Sequence, residues 1–381
     1  MKQIGLNNNT RNRSTRLFLG RKALLLVIAG LFFSTNVAFG QISESRQLSK
    51  AFKINKSSVI DISNKYGDVS IETWEKDSIK VDIFVRVSEK NRDKLRKKMN
   101  DIRFDLTQSG HFIVVNTIVG ENNNMIYSEF NKLKESIGVG ESQVEINMKV
   151  KVPDNLELKV SNKFGNVYID DYSGDMSVNL ANGKLKAHDL IGYVNMKINF
   201  GDANINMLGS GALEVYYSDL NLGSAKKLRI TSKTSDITIT EIEQMIVNSS
   251  RDTYKIRMIN DFETESSWTD FSISEFHNKS DIRMNFGDIS IDNVKSSFQN
   301  IFIDARSSKI NLCFDKQTDI NFDITTNQNM SLPMEAKIDK KEQVDPKEKT
   351  VRYLGRTGNV KTETPKLIMK NTSGEINITK R

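Results

Sequence analysis

The chain is short of the residues from which most chemical sites are built. It has one cysteine and three histidines in 381 residues. Cys313 has no partner for an internal disulfide, and a lone thiol makes no metal site. Its place one residue after the apolar Leu312 points to ordinary packing. His111, His188 and His277 lie far apart and match no ligand spacing such as HExxH. There is no phosphate loop and no nucleophile elbow. The acids are scattered, and the pair Asp170-Asp171 is a weak signal for hydrolysis. These gaps speak against an enzyme and imply no cofactor.

Charge of one sign is also missing once the chain is divided. The net charge is +7. Residues 1–40 hold Lys2, Arg11, Arg13, Arg16, Arg21 and Lys22 with no acid, which leaves +1 for everything after them. So small an excess makes no basic face and excludes nucleic acid as the expected partner. Long apolar runs are absent too. Ala23–Phe33 is 11 residues, against about 20 needed to span a bilayer. Basic start, short apolar run and Ala38-Phe39-Gly40 together read as a secretory signal over 1–40 rather than an uncleaved anchor. Thr15-Arg16-Leu17-Phe18-Leu19 has one arginine where a twin-arginine signal has two, so the general secretory route is expected. No cysteine follows the apolar run to take a lipid. The mature chain is therefore expected to have no integral membrane span and to reside in the periplasm, at the outer membrane or outside the cell.

What the chain does have is a short repeat. NKFGNVYI from Asn162 returns as LANGKLKA from Leu180, INFGDANI from Ile198, VYYSDLNL from Val215, SKTSDITI from Ser232, SSWTDFSI from Ser266 and MNFGDISI from Met284. The first apolar residue after the turn falls at Val167, Leu185, Ala203, Leu220, Ile237, Tyr254, Phe271, Ile289 and Ile310. The steps are 17 or 18 residues until the last, which is 21. Polar residues separate these from a second apolar set two positions on (Ile169, Ile205, Ile239 and their equivalents), a period of two that marks strands with one buried face. Further apolar sets lie five residues after that first apolar residue, at Leu190, Leu208 and Ile242, and seven before it, at Met196, Leu213 and Ile230. Three inward stripes per unit do not fit one flat hairpin. They fit an all-β fold, a parallel β-solenoid (β-helix) of 17–18-residue coils. Coils rising about 4.8 Å each would make a rod of roughly 40 Å. The unit is too short and too poor in leucine for a leucine-rich repeat, and the period excludes helical repeats.

The rest of the chain reads as entry and exit. After the signal (1–40) comes an N-terminal β and cap region, 41–152, with a solvated helix over 89–99 and a polar insert at 120–142 holding a short helix from Tyr127 to Ile137. Ile102–Leu106 and His111–Val119 read as antiparallel strands around Ser109-Gly110. The solenoid occupies 153–314. Residues 315–381 form a C-terminal cap of strands, with a long charged loop over Asn327–Lys349. Exposed solenoid ends need such caps.

Two rows of the repeat bear on binding. Asp68, Asn166, Lys184, Asp202, Asp219, Asp236, Asp270 and Asp288 hold the turn, where stacked acids would suit calcium. The glycine-rich nonapeptide of calcium rolls is absent, so turn chemistry is the expectation and no metal is assigned. Two residues earlier stand Tyr66, Phe164, Phe200, Tyr217, Trp268 and Phe286. The spacing favours a buried aromatic ladder. If the turn resets the parity, the stripe faces solvent, and Tyr66, Tyr217 and Trp268 become the ligand-face candidates.

SNKYGDVSIETW, SNKFGNVYIDDY and the closing NTSGEINIT resemble the bacterial putative-adhesin family of unknown function, β-strand-repeat proteins of the cell envelope. The likeness covers roughly residues 51–381; the insert 120–142 and the loop 327–349 depart from it. It implies a signal peptide, a β-solenoid-like body, an envelope role and no catalytic residues. The expected function is a secreted, adhesin-like or structural binding module that contacts a surface glycan or an envelope protein. The alternatives are a periplasmic sensor or regulatory partner in envelope stress, and a carbohydrate-active β-helix enzyme. An acid cluster in a groove of the folded solenoid would favour the last.

Overall fold

A computed structural model describes residues 41–120, 142–358 and 366–381. The signal segment and the short helix expected over Tyr127–Ile137 lie outside the described residues. The chain enters on β1 (Ile42–Lys53), then forms β2 (Val59–Lys65), β3 (Val69–Thr73) and β4 (Ser78–Glu89). Helix α1 (Arg92–Asp101) leads to β5 (Ile102–Ser109), β6 (Phe112–Val119) and β7 (Ser142–Val152). The helix begins three residues later than its composition alone indicates. Glu89 is the end of β4, and Asn91 caps the helix, its side-chain oxygen accepting from the N–H of Asp93 at 2.8 Å and of Lys94 at 3.1 Å. Leu95 and Met99 are its buried residues.

Parallel coils follow. They are built from β8 (Glu157–Lys163), β9 (Val167–Ile169), β10 (Met176–Ala181), β11 (Lys184–Asn199), β12 (Asp202–Tyr216) and β13 (Asp219–Lys233). β14 (Asp236–Ser250), β15 (Thr253–Ser267), β16 (Asp270–Val294) and β17 (Asn300–Phe314) continue the stack. The register is the one the repeat dictates. Val167 lies opposite Leu185, then Ala203, Leu220, Ile237, Tyr254 and Phe271 in successive coils, and Ile289 lies opposite Ile310. All of these are buried, as are the other inward stripes. A one-residue slip would turn every one of them to solvent, so the alternation fixes the pairing. Coils of 18 residues hold their extra residue away from the repeated turn, as a register shift between Leu190 and Tyr193.

Both ends are closed by a coil wedged between two others. At the start, β2 pairs with β6 on one side and β8 on the other, and β3 with β7 and β9. The antiparallel strands β1, β4 and β5, with α1, lie beyond. At the far end come β18 (Ile320–Thr326), β19 (Met330–Ser331), β20 (Lys337–Asp345), β21 (Thr350–Thr357), β22 (Lys366–Thr372) and β23 (Ile376–Lys380). There β22 sits between β17 and β18, and β23 between β17 and β19. One expectation needs correction. The stretch read as a charged loop, Asn327–Lys349, contains β20, which pairs antiparallel with β21. Its residues are almost all exposed on both faces, so it has no period-two pattern to read. Among the described residues no helix is long and apolar enough to cross a membrane.

Candidate functional site

Each coil passes from its first strand to its second through one corner residue in the left-handed region. That residue is Tyr66, Phe164, Asn182, Phe200, Tyr217, Thr234, Arg251, Trp268, Phe286, Ser307 or Ser373, with φ between 53° and 64°. From Tyr66 to Trp268 its N–H donates to a backbone carbonyl of the next coil. For Tyr217 the acceptor is Lys233 O at 3.0 Å and for Trp268 it is Asn285 O at 2.9 Å. The left-handed conformation strains any residue with a Cβ, by roughly 1–2 kcal/mol, and bulky side chains avoid it. Glycine and asparagine are the usual occupants. Six aromatic residues at this position are therefore an anomaly that local backbone preference does not explain.

The corner decides where the rings point. By straight alternation they read as a buried ladder, and that expectation is overturned. Phe200 is 58% exposed, Tyr217 47%, Trp268 58% and Phe286 40%; Tyr66 and Phe164 are half-buried. The left-handed residue resets the parity, so the inward place falls to the next residue, which is small or polar: Gly201, Ser218, Ser235, Asp252 or Thr269. The rings pair between neighbouring coils. Tyr66 stacks on Phe164 at 5.6 Å between centroids, Phe200 on Tyr217 at 5.0 Å, and Trp268 on Phe286 at 4.5 Å, with interplanar angles of 10°, 3° and 13°. The three ligand-face candidates thus lie on one edge of the solenoid, one in each stacked pair. They do not share a pocket. Asn182 separates the first pair from the second, and Thr234 with Arg251 separates the second from the third.

Beside this row runs the turn row of acids. Its end members bond the next coil. Asp68 accepts from the N–H of Asn166 at 2.8 Å, Asn166 from that of Lys184 at 3.0 Å, and Asp270 from that of Asp288 at 2.9 Å. Asp202 is ion-paired with Lys184 at 2.9 Å. Asp219 and Asp236 are exposed, and their carboxylates have no hydrogen-bond or ion-pair partner among the described residues. Between the two rows lies an open groove of about 530 Å³. Phe200, Tyr217, Thr234 and Arg251 form one wall, Asp202, Asp219 and Asp236 the other, and Gly201, Ser218 and Ser235 the floor. Among the described residues no group of three or more His, Cys, Asp or Glu is placed to hold a metal ion.

Past the end of the floor is a polar network that the repeat phrases do not single out. Asp252, 3% exposed, takes the inward corner place that neighbouring coils give to serine or threonine. Its carboxylate accepts from Ser232 Oγ at 2.7 Å and from the N–H of Ser235 at 2.8 Å and of Ser250 at 3.0 Å. Ser232 Oγ lies 2.6 Å from the buried Tyr254 hydroxyl. Burial pushes the Asp252 pKa up, partly offset by the hydrogen bonds from Ser232, Ser235 and Ser250. Burial likewise raises the Tyr254 phenol. Arg251, Thr234 and Asp252 were visible only by setting the coils in register, where they fall in the rows of Tyr217 and Ser218. The histidines stay apart. His188 Nδ1 is 3.7 Å from Asp171 Oδ1, His277 Nε2 is 3.4 Å from Glu275 Oε2, and His111 packs on Phe112.

Comparison with known proteins agrees with this architecture. A family model described as Toastrack DUF4097 matches residues 57–379. None of the curated proteins matches. A crystal structure described as a putative cell adhesion protein from Clostridium sporogenes aligns over 89% of this chain and 100% of its own, at 7% identity and a TM-score of 0.18. That likeness is too slight to place any residue.

Proposed function

The chain belongs to the Toastrack DUF4097 family, and on that premise we propose that it is an exported cell-envelope binding module, adhesin-like and without catalysis. The observation that carries this reading is the corner row. Exposed aromatic rings occupy positions where the backbone disfavours them, stacked in pairs along one edge of a rigid scaffold. A solenoid keeps such rings at fixed spacing, so several weak contacts to one extended ligand act together. Export rests on the basic start and apolar run of residues 1–40. A surface glycan is the ligand most in keeping with stacked rings, and an envelope protein is the other candidate partner.

One observation bears on the enzymatic alternative, since acids do line a groove. Glycoside hydrolysis needs two carboxyls on opposite sides of the scissile bond, one held protonated by its surroundings. Asp202, Asp219 and Asp236 stand in single file on one wall, and Asp219 and Asp236 are exposed. Asp252, the acid whose pKa burial raises, is buried in the row of Ser218 and Ser235, one coil past the last floor residue, and does not line the groove. The arrangement favours holding over cleaving. The test is cosedimentation of the purified chain with isolated cell envelopes, comparing the native protein with a variant carrying Tyr66→Asn, Tyr217→Asn and Trp268→Asn. The native chain is expected to sediment and the variant to stay largely in solution. Equal retention of both refutes the corner-row reading. Protease shaving of intact cells then separates a surface module, which is lost, from a periplasmic sensor, which is protected until the outer membrane is opened.

A further inference from the structure

We propose that the groove beside Phe200 and Tyr217 is a subsite for a neutral polysaccharide lying along the solenoid axis. This rests on the binding-module reading and assigns it a ligand class and a place. The groove crosses the corners of four successive coils, Phe200, Tyr217, Thr234 and Arg251, so it is elongated along the axis and suits a chain. Its first wall carries two exposed rings, Phe200 and Tyr217, followed by Thr234 and Arg251. The rings of Phe200 and Tyr217 stack on each other with 3° between their planes, so each covers one face of the other, and the face of Tyr217 towards the smaller Thr234 is left for the C–H face of a pyranose. Its second wall is rich in acceptors. Asp219 and Asp236, about one coil rise of 4.8 Å apart, have carboxylates with no other partner among the described residues, and each can accept two sugar hydroxyls. The guanidinium of Arg251 closes the far end with donors for ring and hydroxyl oxygens. Beyond it the row resumes at Trp268 and Phe286. Tyr217 and Trp268 are three coil steps apart, about 14 Å, so a chain leaving one stack meets the next.

Charge and width exclude the competing occupants. Nucleic acid, uronic acid chains and phosphate headgroups would meet the carboxylate wall of Asp202, Asp219 and Asp236 and be repelled. A protein partner needs about 800 Å² of contiguous surface with an apolar centre. The corner offers apolar surface one ring wide, with polar rows on either side.

The experiment is isothermal titration of the full mature chain with three neutral hexasaccharides, cellohexaose, chitohexaose and mannohexaose. Oligogalacturonate is the anionic probe and choline the cationic one. At least one neutral hexasaccharide is expected to bind, with an affinity unchanged between low and high salt. Tyr217→Asn should weaken it about tenfold and Asp236→Asn about threefold. Lys227→Ala, on the coil face away from the groove, should leave it unchanged. The row already accepts asparagine at Asn182, so Tyr217→Asn is expected to fold. The ligand class is overturned if no neutral hexasaccharide binds in the millimolar range, or if choline or oligogalacturonate binds better, while envelope cosedimentation still depends on the corner rings. The location is overturned if Tyr217→Asn binds as the native chain does. If the corner variants also sediment normally, the binding-module reading itself fails.

Discussion

Trp268 and Phe271 are aromatic residues three positions apart in one coil, and the fold treats them in opposite ways. Phe271 is 1% exposed, with its ring 5.0 Å from that of Tyr254 and 5.2 Å from that of Phe262. Phe271→Ala removes a side chain packed on all sides and should cost about 3–5 kcal/mol. Trp268 is 58% exposed and touches one ring, Phe286. Trp268→Asn gives up about 0.5–1.5 kcal/mol of stacking. It also loses roughly 1 kcal/mol from the covered part of the indole. Against this it relieves a left-handed strain of roughly 1–2 kcal/mol. The terms cancel to within about 1 kcal/mol. Equilibrium urea unfolding checks both, with midpoints compared at equal slope. A loss above about 2 kcal/mol for Trp268→Asn would mean that the ring is there to hold the corner. The argument that such rings are kept for a ligand would then fail.

Other expectations follow from the same coils. Asn162 is fully buried, and its amide donates to the carbonyls of Gly67 at 3.0 Å and Asn166 at 3.1 Å. Asn162→Ala should cost about 1–3 kcal/mol in the same unfolding assay. A Cβ on Gly183 would lie 2.0 Å from the carbonyl oxygen of Gly165 in the neighbouring coil. Gly183→Ala should therefore lower the melting temperature clearly, by about 2 kcal/mol or more of stability, because backbone has to move. Asp252 binds its proton more tightly in the fold than in the unfolded chain, whose carboxyl titrates near 3.8. Its contribution to stability is thus greatest below that value and declines as pH rises through the window up to the raised folded value. Asp252→Ser, the residue used at 218 and 235, should remove that decline, so its advantage over the native chain is larger at neutral pH than at about pH 4. An advantage of Asp252→Ser that stays constant or shrinks across the window would refute the assignment. The exposed pair Lys197–Glu214, 2.7 Å apart, is expected to matter little. Glu214→Gln should shift stability by under about 1 kcal/mol.

The repeat phrases carried more meaning than their low complexity implies. In NKYGDV, NKFGNV and NTSGEI the asparagine two places before the corner points inward. Asn64, Asn162 and Asn371 are all buried, and their amides satisfy corner carbonyls: Ile146 O at 2.8 Å, Gly67 O at 3.0 Å and Ser308 O at 2.9 Å. These coils lie towards the ends of the stack. The coils between put Leu180, Ile198 and Val215, then the buried serines Ser232, Ser249 and Ser266, in the same place. The strand β20 escaped notice because neither of its faces is buried, so no alternation was ever imposed on it. Its position comes from backbone pairing with β21 alone.

The sequence by itself determined the coil, its length and its register. Burial on one face imposes a period of two, stacking imposes a period of 17 or 18, and both are written in the order of residues from Val167 to Ile310. Which side of the wall the aromatic row faces was decided only by tertiary structure. Side-chain parity holds along a strand and is lost at a corner, where one left-handed dihedral turns the next residue inward and leaves the ring outside. The wedged end coils were hidden for a related reason. Pairing β2 between β6 and β8, and β22 between β17 and β18, joins segments far apart in the chain, and no local pattern encodes which distant edge a strand will meet.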